Sequence, residues 1–189
     1  KLKYAAAASS PRVISAAGTQ SIYVIYTHVA GEIRGRLFDM TSATTIATGV
    51  AASPTTVAAD NYINTTRSIM DLAWNSTRSL VFIAYRTTAA APGAIKIGFI
   101  NSSLALVNTA TYATVAVPTW VACDASPGGS EHGLAYIVGT NPNDVYAMHK
   151  NWDGAVWTTT SDSAVIDTAL VAALNTVVCK YDVSSSTTL

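Results

Sequence analysis

Residues 68–112 decide the fold, because they hold four consecutive β-patterned runs with turn-forming residues in every gap. The runs are Ser68-Ile-Met-Asp-Leu-Ala-Trp74, Ser79-Leu-Val-Phe-Ile-Ala-Tyr-Arg86, Ala94-Ile-Lys-Ile-Gly-Phe-Ile100 and Ser103-Leu-Ala-Leu-Val-Asn-Thr-Ala-Thr-Tyr112. We name them runs A, B, C and D. Together they predict one four-stranded antiparallel sheet.

The same order of runs recurs on both sides of this stretch. Before it, residues 12–17, 21–26, 32–38 and 44–50 are assigned to runs A to D, and after it residues 119–124, 133–138, 145–150 and 155–159 repeat the order. Residues 169–174 and 176–181 begin a fourth unit as its runs A and B. A single domain, 1–189, is thus expected to contain units at about 12–52, 67–113, 119–166 and, incomplete, 169–189.

The spacing of the repeat indicates the architecture. Run B starts at Ser21, Ser79, Gly133 and about Asn175, which gives steps of roughly 58, 54 and 42 residues, in the range of four-stranded propeller blades. The B runs are apolar on both faces, as suits strands covered on both sides by neighbouring sheets. We therefore expect an all-β fold of four-stranded antiparallel blades forming a partial β-propeller, with a β-sandwich as the alternative.

The ends of the C runs carry a turn signal. When the C runs are aligned they end at Asp39, Asn101 and Asn151. An Asp or Asn side chain can bond the backbone two residues on, so each is expected to start the turn into run D.

Two short stretches carry a family resemblance. Asn151-Trp-Asp-Gly-Ala-Val-Trp157 resembles the Asp-box, the Ser-x-Asp-x-Gly-x-x-Trp hairpin of sialidase-like propellers, although one residue is missing between Asp153 and Gly154 and Asn151 replaces Ser. Leu37-Phe-Asp-Met-Thr-Ser-Ala-Thr-Thr-Ile-Ala-Thr-Gly49 is similar to the blade pattern of bacterial surface-layer propellers. The resemblance implies a structural turn formed by Asn151, Asp153, Gly154 and Trp157, and it implies no activity.

Composition limits the partners of the chain. Charged residues make up 12% of the 189 residues and the formal net charge is +0, so there is no electrostatic footprint for nucleic acid. The longest apolar runs fall well short of the roughly 18 residues that a spanning helix needs. We expect neither nucleic-acid binding nor membrane insertion.

Residues with catalytic chemistry are scattered. The arginines that a sialidase-like site would need are at Arg34, Arg36, Arg67, Arg78 and Arg86, in mixed positions along the runs. Asp71 and Asp124 fall in equivalent A runs, where one polar side chain per inner strand is also how a wet channel is lined. We therefore expect no catalytic residues and no enzymatic activity.

Metal and cofactor sites are not expected either. Cys123 and Cys179 lie in apolar runs without ligand spacing, which favours two buried thiols, and a disulfide between them stays open. The three histidines, His28, His132 and His149, are spread over the chain.

Four aromatic residues gather in the third unit, and they allow two interpretations. Tyr136, Tyr146, Trp152 and Trp157 could form a glycan-stacking surface, or they could form the core between two blades.

Composition and motifs favour one function class over two others. Low charge with much Ala, Thr and Ser is typical of a non-enzymatic structural or adhesive component of an extracellular or viral assembly, such as a phage tail, a virion appendage or a cell-surface layer. The alternative is a glycan-binding or glycan-cleaving propeller. An intracellular WD-repeat scaffold is disfavoured, because Trp152-Asp153 is the single Trp-Asp pair.

The expected partners follow from the incomplete last unit. The first ten residues are interpreted as the tail of a preceding run D, so the chain is expected to be a segment of a longer polypeptide or to be completed by partner subunits. Further blades or other protein subunits, and surface glycans under the alternative, are the expected partners.

Overall fold

The computed structural model describes residues 5–9, 20–28, 32–42, 45–47, 54–61, 69–75, 78–87, 93–114, 117–126, 131–138, 143–170 and 179–180. Across these ranges the chain forms strands, turns and connections, and no helix occurs in them. None of the described segments is therefore a helix that could cross a membrane. The expectation of an all-β fold built from antiparallel sheets is confirmed.

The described residues form thirteen strands in three antiparallel sheets. Sheet 1 contains β1 (Ala5–Ser9), β2 (Gln20–Thr27), β3 (Ile33–Ser42) and β4 (Thr45–Ala47) in that order, and β5 (Thr55–Ala58) also pairs with β3. Sheet 2 contains β6 (Met70–Asn75), β7 (Leu80–Arg86), β8 (Ala94–Ile100) and β9 (Leu106–Ala113). Sheet 3 contains β10 (Pro118–Ala125), β11 (Glu131–Val138), β12 (Asn143–Trp152) and β13 (Trp157–Leu170). Within each sheet, strands that are neighbours in sequence are neighbours in space, apart from β5.

Sheet 2 is packed on both faces, and its central strands are apolar at successive positions. One face places Phe82 opposite Phe99 in a core shared with sheet 3, and the other places Val81 opposite Ile100 in a core shared with sheet 1. Side chains alternate between the two faces of a strand, so a strand with both faces covered needs a continuous apolar run. Residues Val81 to Arg86 of β7 are all buried.

The two cores have separate membership. The core between sheets 1 and 2 is built by Tyr23, Ile25, Ile33, Leu37, Val57, Ala58, Met70, Leu72, Val81, Ile83, Tyr85, Ile100 and Leu104. The core between sheets 2 and 3 is built by Ala73, Phe82, Ala84, Ile95, Ile97, Phe99, Val121, Cys123, Ala125, Tyr146, Met148 and Trp152. No described residue belongs to both cores, so sheet 2 separates the two cores.

The first strands of the three sheets lie side by side. β6 packs against β1 on one side and against β10 on the other. The sheets are therefore stacked in chain order with their first strands at a common edge, which places the last strands, such as β9, at the opposite edge. β9 follows the expected edge pattern, with exposed Asn108, Thr109 and Thr111 and partly buried Val107 and Tyr112.

The connection from sheet 1 to sheet 2 is held by one acidic residue. Asp60 accepts a 2.7 Å hydrogen bond from the hydroxyl of Tyr85 and a 2.9 Å bond from Lys96 Nζ. Burial raises the pKa of Asp60, but these hydrogen bonds outweigh it and bring the pKa below its ordinary value. The carboxylate thus fastens residues 54–61 to two strands of sheet 2.

The first strand of sheet 1 was wrongly predicted. Residues 5–9, interpreted from sequence as the tail of a preceding run D, form β1 and pair with β2 in the position of a run A. The residues assigned to that run, 12–17, lie outside the described ranges. The short run Ala-Ala-Ala-Ala-Ser carries no β-branched or aromatic residue, so its strand is decided by pairing with β2 rather than by its own propensity.

The end of the third unit differs from the prediction as well. Ala169 and Leu170, assigned to run A of a fourth unit, belong to β13, which continues unbroken from Trp157. Of the predicted fourth run B, only Cys179 and Lys180 are described, and they are not part of a strand. Residues 171–178 and 181–189 lie outside the described ranges.

Candidate functional site at the turn of Asp153

The turn between β12 and β13 is closed by one carboxylate. Asp153 Oδ1 accepts hydrogen bonds from the backbone N–H of Ala155 at 2.7 Å and of Val156 at 2.9 Å, while the N–H of Asp153 donates to the carbonyl of Val156 at 3.3 Å. Gly154 has a φ of +110°, which an L side chain rarely adopts. The backbone N–H groups of Val156 and Ala155 hold the pKa of this exposed carboxyl below its ordinary value.

The turn between β8 and β9 is closed in the same way. Asn101 Oδ1 accepts from the N–H of Ser103 at 2.9 Å and of Ala105 at 3.0 Å. The sequence alignment placed Asn151 opposite Asn101, but the residue that caps the third turn is Asp153, two positions later. Asn151 instead lies inside sheet 3, where it pairs with Thr158. The C run of the third unit is therefore two residues longer before its turn than the alignment assumed.

Trp157 begins β13 and connects sheet 3 to sheet 2. Its ring stacks on Phe99 with centroids 5.2 Å apart and an interplanar angle of 23°, and it lies 5.8 Å from Phe82. Its Nε1–H donates to the carbonyl of Asn108 on β9. Asn108 has a φ of 53° at a bulge in the β8–β9 pairing, so the indole bonds a carbonyl that the bulge turns out of the ladder.

The aromatic residues singled out from sequence are largely interior. Trp152 and Tyr146 are 6% and 7% exposed, and Trp152 meets Phe99 edge-on at 6.2 Å. Neither ring presents an open face on which a sugar could stack. Trp157 is half-buried, and Tyr136 is described by its backbone alone, which pairs with Tyr146.

Two arginines join sheet 2 to sheet 3 through backbone carbonyls. Arg78, in the β6–β7 turn, donates from Nη2 to the carbonyl of Trp152 at 3.0 Å, and buried Arg86 donates from Nη1 to the carbonyl of Pro118 at 3.0 Å. Arg34 forms a 2.9 Å ion pair with Glu32 in sheet 1. These three arginines lie at separate places, and Arg67 lies outside the described ranges.

A buried lysine adds to the same interface. Lys150 on β12 is 3% exposed and places Nζ 4.0 Å from the ring centroid of Tyr112 on β9. Burial raises the pKa of the Tyr112 hydroxyl. The face of the Tyr112 ring attracts the lysine ammonium.

Asp71 is a hydrogen-bonding group between the first strands of sheets 2 and 3. Asp71 Oδ2 accepts the backbone N–H of Cys123 on β10 at 3.0 Å, and Oδ1 accepts that of Leu72 at 2.9 Å. Burial raises the pKa of Asp71 despite these bonds. Both oxygens of Asp71 are thus occupied by backbone donors.

Both cysteines are free thiols. Cys123 is buried, and burial raises its pKa well above the ordinary value; burial together with the carboxylates of Asp124 and Asp71 raises the pKa of Cys179 to about 11. Such thiols are poor nucleophiles at neutral pH, because the thiolate is the reactive form. Within the described ranges no group of three or more His, Cys, Asp or Glu side chains is placed to hold a metal ion.

The sequence did not single out Arg78, Asn108 or Lys150 as residues of the interface. Lys150 carried the clearest signal, since it shares one face of its strand with the apolar Met148 and Trp152, and a lysine buried on such a face needs a partner. Asn108 carried none, because the bulge that frees its carbonyl depends on the pairing of β8 with β9.

Comparisons with known proteins gave no relative for this chain: no family model, no curated protein and no solved structure matches it.

Proposed function

We propose that this chain is part of a β-propeller and acts as a non-enzymatic structural or adhesive component of an extracellular or viral assembly. The observation that carries the proposal is the stacking of sheets with the same strand order, in which sheet 2 is covered on both faces and the first strands lie side by side. Propeller blades are arranged in this way around their axis.

The use of the aromatic residues supports a structural role. Phe82, Phe99, Trp152 and Trp157 form one cluster between sheets 2 and 3, and the Asp-box-like turn places Trp157 in that cluster. The most distinctive residues of the third unit therefore hold two sheets together. The low charge and the Asn, Thr and Ala at the exposed positions of β9 fit a surface of an extracellular β-protein.

Other subunits, or further blades of a longer polypeptide, are the proposed partners. Analytical ultracentrifugation over a range of concentrations tests this, and we expect the chain to associate reversibly as concentration rises. Monomeric behaviour at every concentration, together with a native polypeptide that has the mass of this chain alone, contradicts the proposal.

The glycan-binding or glycan-cleaving alternative has a separate test. The labelled chain is applied to a glycan array and incubated with fluorogenic glycosides, and we expect neither saturable binding nor hydrolysis. Saturable binding that the Trp157→Ala variant loses, with the far-ultraviolet circular dichroism unchanged, supports the glycan-binding alternative instead. Hydrolysis by the chain supports the glycan-cleaving one.

A further inference from the structure

Asp71 and Asp124 occupy matching places in the first strands of sheets 2 and 3. Each carboxylate accepts the N–H of the following residue, at 2.9 Å for Asp71 and 3.0 Å for Asp124. Across sheet 2, Asp71 is in register with Ile97 of β8. Across sheet 3, Asp124 is in register with His149 of β12. These two residues each precede the turn-capping residue of their sheet by four positions, so the two aspartates are structurally equivalent.

The two carboxylates point in the same direction along the stack. Ala73, two residues after Asp71, faces sheet 3, so Asp71 shares that face and reaches Cys123 N there. Cys123 in turn faces sheet 2, and because side chains alternate along a strand Asp124 faces away from sheet 2. Asp71 therefore points from sheet 2 toward sheet 3, and Asp124 points from sheet 3 in the same direction, away from sheet 2.

One described pair of residues lies where Asp124 points. Lys180 Nζ is 3.6 Å from Asp124 Oδ2, and half-buried Cys179 precedes it. Cys179-Lys180 thus lies beside Asp124, where the contact is the side-chain Nζ of Lys180, and Cys123-Asp124 lies beside Asp71, where the contact is the backbone N–H of Cys123. β1, the first strand of sheet 1, contains only Ala and Ser. An aspartate that points along the stack therefore occurs in the first strands of sheets 2 and 3 but not in that of sheet 1.

We propose that the face of β10 at Asp124, which points away from sheet 2, is a docking site, and that its occupant is the segment of this chain at Cys179 and Lys180. Asp124 then accepts a backbone N–H of that segment, as Asp71 accepts that of Cys123. The proposal rests on these contacts and is independent of the proposed function.

Hydrogen exchange of backbone amides, resolved by NMR on the full chain, tests the proposal with a matched pair of variants. Asp71→Ala should make the Cys123 amide exchange roughly tenfold faster or more, the loss of a hydrogen bond to a charged acceptor. Asp124→Ala should do the same to an amide within one residue of Cys179 and leave Cys123 protected.

The result that overturns the proposal is a chain in which amides around Cys179 exchange at the rate of an unfolded peptide. It is also overturned if Asp124→Ala leaves them unchanged while Asp71→Ala exposes Cys123. If either alanine variant fails to fold, alkylation of the unmodified chain decides. Cys179 should then react at least about tenfold more slowly than in urea-unfolded chain, because its thiol is shielded and its thiolate disfavoured, and equal rates contradict the docking.

Discussion

Asp153 shows how a single exposed side chain fixes a turn. Its carboxylate accepts two backbone N–H groups, and these lower its pKa in the folded chain. A lowered folded-state pKa stabilises the fold above the ordinary Asp pKa, near 4, and this contribution is lost as pH falls through the folded-state value.

We expect Asp153→Ala to lower the melting temperature slightly at pH 7, and the difference from the unmodified chain to shrink as the pH falls below about 4. Thermal unfolding followed by circular dichroism across this pH range measures it. Asp153→Asn is the matched control, since it keeps one acceptor oxygen without a charge. A difference that grows toward low pH contradicts the assigned hydrogen bonds.

Trp157 contributes both a hydrogen bond and aromatic packing. Trp157→Phe keeps a smaller ring next to Phe99 and removes the N–H that bonds Asn108. We expect the free energy of unfolding to fall by at least about 1 kcal/mol, the net value of one hydrogen bond, because the smaller ring also loses packing contacts. Denaturant unfolding measures the change. Val156→Ala, at the 56% exposed residue of the same turn, is the control and should change the free energy of unfolding little. An equal loss in both variants would show that the loss comes from the turn and not from the indole of Trp157.

At the scale of the element, β7 carries the stability because both of its faces are buried. Phe82 is 0% exposed, and it contacts Phe99 within sheet 2 and Trp157 across the interface with sheet 3. Phe82→Ala should therefore cost about 3–5 kcal/mol, the range for truncating a buried phenylalanine. Thr111→Ala, at an exposed position of β9, should change the free energy of unfolding by no more than about 0.5 kcal/mol. Urea unfolding of both variants tests this, and a similar cost for the two contradicts the burial of β7.

Strands of this kind are the ones that sequence can place. Run C of the second unit was predicted at 94–100 and β8 is Ala94–Ile100, because Gly93 and Asn101 mark its ends and the apolar run is continuous. β1 was assigned to the wrong run, a preceding run D, because four alanines and a serine give no signal of which strand they pair with. β13 was predicted to end at Thr159 and extends to Leu170, since Ser, Thr and Asp in its middle break the apolar pattern.

The sequence predicted which residues form the turn of the candidate site, but not the contacts that they make. The Asp-box resemblance located the third turn at Asp153 and Gly154, and Asp153 caps that turn. The partners of Trp157 and Arg78 lie 49 and 74 residues away in sequence, so only the stacking of two sheets brings them together. Such contacts follow from tertiary pairing, which local pattern does not contain.

At the scale of the whole molecule, the chain has two cores on opposite faces of one sheet. Ile25 belongs to the core of sheets 1 and 2, and Met148 to the core of sheets 2 and 3. Stacked sheets pack about 10 Å apart, so sheet 2 separates these two residues by more than the roughly 7–10 Å within which mutational effects interact.

The free-energy losses of Ile25→Val and Met148→Ala should therefore add to within about 0.5 kcal/mol in the double variant, as expected for an array in which each sheet contacts its neighbours only. Phe99→Leu with Trp157→Phe is the matched pair in contact, at 5.2 Å, and its losses should not add. Denaturant unfolding of the single and double variants gives both coupling energies. A coupling energy between Ile25 and Met148 as large as that between Phe99 and Trp157 would mean that the two cores behave as one. Sheet 2 would then transmit repacking from one of its faces to the other instead of separating the two cores.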